Sequence, residues 1–151
     1  MENNGPVIDE KIKDLVSALR RLDIPTTGSC EGHKDHGAPA PWIKITPGAD
    51  NDPVQLQKKV TALLDSFYKD HVPEEDARFV VENANFGFWI HNGGKDYVQW
   101  RKEVAQASKE PAVTGTRNPL TPEEQQRREK KLPAYQREAL LFAEFLNSRP
   151  K

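Results

Sequence analysis

The spacing of apolar residues predicts two amphipathic helices in the first half of the chain. From Ile8 to Leu22 apolar residues recur at intervals of three or four, which is the spacing of one helix face. A second run of this kind follows Asp52 and Pro53. Aspartate caps helix starts and proline suits the first helical position, so we expect the second helix to begin there.

Four other segments have the composition and period of short strands. They are residues 26–29, 42–45, 79–81 and 86–91. In the last segment polar and apolar positions alternate, which is the period of a strand with two different faces. We expect one face to carry Trp89 and His91. The other face should lie in the core and consist of Phe86, Phe88 and Ile90.

After residue 91 the helical pattern returns, disappears and returns again. The spacing of Tyr97, Trp100 and Val104 predicts a short helix. Residues 108–120 have no period and contain two prolines, which predicts a linker. A capping-box spacing at Thr121 predicts the start of a final helix. Its apolar stripe consists of Tyr135, Ala139, Phe142 and Leu146.

The order of these elements predicts an α+β fold. We expect a compact single domain in which helices pack on one face of a mainly antiparallel sheet. The predicted division is an α+β body at 1–107, a linker at 108–120 and a C-terminal helical extension at 121–151. Because an isolated helix of this length is marginal in water, its apolar stripe should pack on the body or on a second subunit.

Composition narrows the class of protein. A chain of 151 residues has the size of one ordinary domain, but only 36% of it is hydrophobic and 30% is charged. Part of the chain should therefore be a tail that is exposed to solvent and does not pack in the interior. A single cysteine cannot form an internal disulfide, and no apolar run is long enough to span a bilayer. We therefore expect a cytoplasmic location and no membrane partner.

Charge is distributed unevenly although the net charge is only -1. Residues 101–151 contain 11 Lys and Arg against 7 Asp and Glu, which leaves 11 against 16 in residues 1–100. The acidic body should not bind nucleic acid by bulk electrostatics. A nucleic-acid or protein partner is expected on the basic C-terminal helix, unless its cluster is simply a solvated helix face. This cluster consists of Arg127, Arg128, Lys130 and Lys131.

Residues 26–36 concentrate the side chains that bind metals. They include the only cysteine, Cys30, and two of the four histidines, His33 and His36. Spacings of three could bring these groups to one ion, and sulfur and imidazole nitrogen are ligands of zinc and other transition metals. His91 or water would complete the coordination. The sequence thus predicts a candidate metal site without identifying a cofactor.

The same stretch also fits a nucleophilic cysteine. His33 or His91 could activate Cys30, which makes these three residues the candidate catalytic set. Glycine-rich backbone near them could hold an anion. Two simpler interpretations remain open, namely a buried cysteine that acts as a small hydrophobe and tryptophans that belong to the core. The candidate ligand-binding residues are Thr27, Ser29, Glu31, Gly32, Trp42 and Trp89.

Residues 29–33 read Ser-Cys-Glu-Gly-His. Together with the sequence from Ile24 and the later Pro41-Trp42-Ile43, this signature resembles a group of small uncharacterised bacterial and phage proteins. The resemblance covers the first third of the chain and implies no particular activity.

A second resemblance concerns Ser29, Cys30 and Gly32. These residues are similar to the Ser-Cys-x-Gly signature that follows a strand in the wybutosine-synthesising tRNA methyltransferase family. His33 stands where that family has an arginine. The resemblance implies that the loop borders a ligand or nucleotide pocket.

Two classes of function follow from these patterns. The first is a small ligand- or nucleotide-binding domain, catalytic or not, with its site on the loop from Ser29 to His36. The second is a noncatalytic phage or mobile-element accessory protein that acts through protein or nucleic-acid contacts. The sequence decides neither the ligand nor whether a reaction is catalysed.

Overall fold

The computed structural model describes residues 9–34, 37–74, 76–84, 86–108 and 121–150. Within these ranges the elements follow the predicted order, and the α+β class is confirmed. They are α1 (Lys13–Arg21), β1 (Thr26–Cys30), β2 (Trp42–Ile45), α2 (Pro53–Lys69), β3 (Val80–Ala84), β4 (Gly87–His91), α3 (Gly94–Ser108) and α4 (Pro122–Asn147).

The four strands form one antiparallel sheet in the order β1-β2-β4-β3. In its centre Ile43 lies opposite Ile90, and Trp42 lies opposite His91. Because successive side chains on a strand point to opposite faces, these two pairs lie on different sides of the sheet.

The face with Ile43 and Ile90 is covered by α1, α2 and α4, which form the main core with it. Three of the four residues of the predicted α4 stripe, Ala139, Phe142 and Leu146, belong to this core together with Ala143. Tyr135, the fourth, packs in a smaller cluster with Ala40 and Ala77. The expectation that the stripe packs on the body is thereby confirmed. Examples of fully buried core residues are Leu19, Ile45, Val60, Ala139, Phe142 and Leu146.

One helix departs from the predicted layering, because α3 packs on the opposite face. Tyr97 of α3 stacks on His91 with 3.9 Å between ring centroids, and it clusters with Cys30 and the partly buried Trp42. Gly93 has a φ of 106°, a conformation that suits glycine, and the chain turns there between β4 and α3. The helical pattern of α3 contained no information on which sheet face it would cover.

Phe86 also departs from the prediction. Its side chain is 75% exposed, whereas Phe88 and Ile90 are buried as expected. Phe86 precedes Gly87, the first paired residue of β4, so the pleat of the strand does not direct its side chain into the core.

The predicted helix starts are confirmed. Asp52 Oδ1 accepts hydrogen bonds from the backbone N–H of Val54 at 2.9 Å and of Gln55 at 3.3 Å. Thr121 and Glu124 form a capping box, with both reciprocal hydrogen bonds present. The helix α4 that follows continues through Pro133.

The predicted linker falls almost entirely on residues 109–120, which lie outside the described residues. Ser108, its first position, belongs to α3. In the described part of the chain, none of the helices combines the length and the apolar character needed to cross a bilayer.

Candidate functional site

The predicted loop begins where β1 ends at Cys30 and turns sharply at Gly32. Gly32 is buried with a φ of 85°. A Cβ at this position would lie 2.7 Å from Leu132 Cδ1 and 2.9 Å from the carbonyl carbon of Ala40. The turn therefore requires glycine both for its backbone conformation and for its space.

The helix α4 holds this loop through hydrogen bonds to its carbonyl groups. Arg128 Nη1 donates to the carbonyl oxygen of His33 at 3.0 Å and to that of Gly37 at 2.8 Å. Gln136 Nε2 donates to the carbonyl of Glu31 at 3.1 Å. Arg128 is only 8% exposed. We call it a clamp because this one buried side chain holds two carbonyl groups of the loop by hydrogen bonds.

Two more residues of the basic cluster form contacts within the chain. Arg127 Nε lies 3.5 Å from Asp96 Oδ1. Lys131 Nζ lies 3.6 Å from Asp96 Oδ2 and 3.8 Å from Asp76 Oδ2. Three of the four basic side chains of this cluster therefore contact other residues of the same chain.

The structure brings Cys30 and His33 together and adds Asp9 to them. One ligand atom from each residue lies within 4.8 Å of the other two. Asp9 lies before α1, and its Oδ2 accepts a hydrogen bond of 3.1 Å from the backbone N–H of Glu31. No local spacing could have identified Asp9, because it is distant from Cys30 along the chain. His36 lies outside the described residues.

The surroundings of Cys30 favour the neutral thiol. The residue is 9% exposed, and burial raises the pKa of its thiol above the ordinary value. A hydrogen bond of 3.3 Å from Gly32 N–H to the sulfur opposes this shift, whereas the Asp9 and Glu31 carboxylates add to it. Reactive cysteines have lowered pKa values in electropositive sites, so this environment disfavours a free thiolate nucleophile.

His91 binds a different partner from the one predicted. Its Nε2 lies 2.8 Å from Glu82 Oε1, and Glu82 also forms an ion pair with Arg101. His91 is 3% exposed, and burial lowers the pKa of its imidazole, while Glu82 opposes this effect. It thus belongs to a His-Glu-Arg chain on the sheet face covered by α3, outside the cluster formed by Asp9, Cys30 and His33.

All three tryptophans of the chain line one cleft between the sheet and α3, which we call the aromatic cleft. Its volume is about 240 Å³. Trp42 and Trp89 meet edge to face with ring centroids 4.9 Å apart. The described residues that line it are Trp42, Trp89, Tyr97, Trp100, Arg101, Val104 and Ala105.

Two cations accompany the rings of the aromatic cleft. Lys44 Nζ lies 5.4 Å from the centroid of Trp89, and Arg101 Cζ lies 5.8 Å from it. Trp42 and Trp89 are among the ligand residues predicted from the sequence, whereas Trp100 and Arg101 are not. The helical spacing of Tyr97, Trp100 and Arg101 was the available signal, since it places them near one side of α3.

The remaining predicted ligand residues do not line the aromatic cleft. Thr27 Oγ1 is exposed and forms a hydrogen bond of 2.8 Å with Thr46 Oγ1. Ser29 is the register partner of Ile43, so it lies on the sheet face opposite to Cys30. Glu31 Oε1 accepts a hydrogen bond of 2.8 Å from the backbone N–H of Lys11.

A larger cavity of about 470 Å³ lies beside α2 and β3. Val54, Thr61 and Asn83 are among its lining residues. The described residues that line it include no aromatic ring and none of the residues that the sequence singled out. The aromatic cleft has more of the features of a specific ligand site, because it combines stacking surfaces with adjacent charge.

Comparisons with protein-family models, with curated proteins and with solved structures find no match to this chain. The geometry of the loop and of the aromatic cleft is therefore the basis for proposals about function.

Proposed function

We propose that this protein is a ligand-binding domain whose aromatic cleft takes a planar aromatic ligand of the nucleotide class. The observation that carries the proposal is the convergence of Trp42, Trp89 and Trp100 on one cleft. Aromatic side chains stack on nucleobases because both present flat π faces, and each stacked base contributes about 1–3 kcal/mol by alanine substitution.

The size of the aromatic cleft supports a small ligand. Pockets for drug-sized molecules have volumes of roughly 300–1,000 Å³. With a volume of about 240 Å³, the cleft suits one ring system better than an extended molecule. The part of the ligand that enters the aromatic cleft therefore corresponds to a single base.

Charge near the aromatic cleft supports an anionic group on that ligand. Lys44 and Arg101 both approach Trp89. Glu82 neutralises part of the Arg101 charge through its ion pair. A phosphate attached to the stacked ring would lie near these cations, which makes a nucleotide a better ligand than a neutral aromatic compound. The cytoplasmic location expected from the sequence would be consistent with such a ligand.

The intrinsic fluorescence of the protein provides a direct test. Because the chain has three tryptophans and all line the aromatic cleft, a stacked ligand should quench the tryptophan fluorescence. Purified protein is titrated with nucleoside monophosphates and, separately, with ribose 5-phosphate. Isothermal titration calorimetry measures the same affinities independently. We expect nucleotides to quench and bind, and ribose 5-phosphate to bind much more weakly because it has no ring to stack.

Trp100→Ala is the informative variant, and Phe86→Ala is its control. Phe86 is an exposed aromatic residue that does not line the aromatic cleft. Loss of one stacking ring should weaken nucleotide binding by about 1–3 kcal/mol, or about 5- to 150-fold in Kd. Far-UV circular dichroism establishes that both variants are folded. Absence of nucleotide binding by the wild-type protein, or equal binding by both variants, would overturn the proposal.

A further inference from the structure

We propose that Asp9, Cys30 and His33 form a binding site for a transition-metal ion, and that Zn²⁺ is the ion that suits their donors best. The site differs from the aromatic cleft in residues and in ligand chemistry. Its three donors are a carboxylate oxygen, a sulfur and an imidazole nitrogen, all of which are zinc ligands. The site would therefore stand even if the aromatic cleft bound no nucleotide.

The distances among the three donors are close to those around a metal ion. A tetrahedral zinc with bonds of roughly 2.0–2.3 Å separates its ligand atoms by roughly 3.4–3.8 Å. The three donor atoms lie within 4.8 Å of one another. Side-chain movements of about 1 Å would bring them to bonding geometry, which rotation about the side-chain bonds can supply.

The backbone near each donor is held by contacts that do not involve a metal. Gly32 N–H donates to Cys30 Sγ at 3.3 Å, and Glu31 N–H donates to Asp9 Oδ2 at 3.1 Å. Hydrogen bonds of this kind orient metal ligands and tune their donor strength. The fold thus positions the sulfur and the carboxylate toward each other through two adjacent backbone amides.

The third donor is carried by a backbone that is fixed on both sides. The N–H of His33 donates to the carbonyl of Ala38 at 2.8 Å, and its own carbonyl accepts from Arg128 at 3.0 Å. The buried turn at Gly32 sets the distance between residues 30 and 33, because a side chain there would collide with Leu132. A site assembled on such a constrained loop loses little conformational entropy when the ion binds.

Among the described residues the cluster offers three donors, which leave at least one coordination position for water, for an external ligand or for the predicted ligand His36, which lies outside those residues. Three protein ligands and water are the arrangement of catalytic zinc sites, whereas structural sites have four protein ligands. Cys30 also belongs to the buried cluster that includes Tyr97, with Trp42 packed against it. Cys30 therefore connects the metal site to Tyr97 and Trp42, which line the aromatic cleft.

The test uses the full chain, stripped of metal by a chelator and kept reduced. It is titrated with Zn²⁺ by isothermal titration calorimetry and with Co²⁺ by absorption spectroscopy. We expect one ion per chain and a sulfur-to-cobalt charge-transfer band, since a thiolate ligand is required for that band. We also expect Zn²⁺ to raise the melting temperature, because binding to the folded state stabilises it.

Asp9→Asn, Cys30→Ser and His33→Gln should each weaken Zn²⁺ binding by more than about 100-fold, because loss even of a residue that only orients a ligand costs about 10- to 100-fold. Cys30→Ser should also abolish the charge-transfer band. Asp14→Asn is the matched control, since Asp14 is an exposed carboxylate in the first turn of α1. It should bind Zn²⁺ like the wild-type protein.

The assignment fails if the folded wild-type protein shows neither the cobalt band nor a thermal shift with Zn²⁺. This result does not depend on whether any variant folds. It also fails if Asp9→Asn binds Zn²⁺ as tightly as Asp14→Asn. Nucleotide binding by metal-free protein is measured separately, so loss of one activity does not decide the other.

Discussion

The chemistry of His91 is determined by the side chains that cover it. The histidine was expected on a polar strand face beside the loop, and it does lie on that face. Because α3 covers it, however, the imidazole is buried against Tyr97 and its Nε2 contacts Glu82. Burial lowers the pKa of the imidazole, so the folded protein favours its neutral form.

A pH dependence of stability follows from this shift. In the unfolded chain His91 titrates near its ordinary pKa of 6.5. In the folded protein the pKa of His91 is lower, so the imidazole takes up its proton at lower pH. The contribution of neutral His91 is therefore fully present above 6.5 and is lost as pH falls through the folded-state pKa. We expect the free energy of unfolding to decrease over this range, as measured by urea denaturation at several pH values.

His91→Gln tests the origin of that slope. Glutamine retains polar groups but cannot titrate in this range, so the variant should have a smaller slope below pH 6.5 than the wild-type protein. Its overall stability can be lower without affecting this comparison. An unchanged slope would assign the pH dependence to other groups.

The helix α4 connects the core to the candidate site. Its apolar stripe contributes Phe142 and Leu146 to the main core, and its earlier turns place Arg128 against the loop carbonyls. The basic cluster suggested a solvated face or a partner surface when only its charges were considered. Arg128 instead donates to the carbonyl groups of His33 and Gly37, so its charge is directed toward the loop and not toward a partner.

Adjacent arginines of α4 should therefore respond differently to removal. Arg128→Ala deletes two charged hydrogen bonds from a residue that is 8% exposed, which should cost about 1.5–3 kcal/mol of unfolding free energy. Arg127→Ala deletes one ion pair from a side chain that is 56% exposed, which should cost at most about 1 kcal/mol. Urea denaturation of both variants measures the difference, and equal losses would contradict the role of Arg128 as a clamp.

At the level of the complete chain, the body and the C-terminal helix share one core. The helix α1 is the neighbour of α4, and Arg21 Nη2 donates to the carbonyl of Leu146 at 2.6 Å. The core that covers Ile43 and Ile90 contains residues from both ends of the chain. The buried residues of α4 thus complete the core of the body, while the division of the chain at residues 108–120 stays a prediction.

Deletion of residues 121–151 should consequently abolish the cooperative fold. It removes Ala139, Phe142 and Leu146 from the core, and truncation of one buried aromatic residue alone costs about 3–5 kcal/mol. Because the stability of a domain is typically about 5–15 kcal/mol, the truncated chain should show no cooperative melting transition. Circular dichroism recorded during heating measures the melting transition. Leu140→Ala, at a 44% exposed position of α4, is the control and should still melt cooperatively. A cooperative transition in the truncated chain would show that the body folds alone.

Local patterns in the sequence were sufficient to predict the elements and several of their ends. Helical spacing, strand alternation and the caps at Asp52 and Thr121 depend on residues a few positions apart. The proximity of Cys30 and His33 was also predictable, because only a glycine-containing turn separates them. These features depend on backbone geometry that neighbouring residues determine among themselves.

Contacts between distant parts of the chain were not predictable in this way. Arg128 reaches His33 across 95 residues, and Asp9 reaches the loop from the segment before α1. The choice of sheet face by α3, which buries His91 and assembles the aromatic cleft, depends on the packing of the whole protein. Side chains that meet only after folding have no fixed sequence spacing, so the position of each candidate site became apparent only in three dimensions.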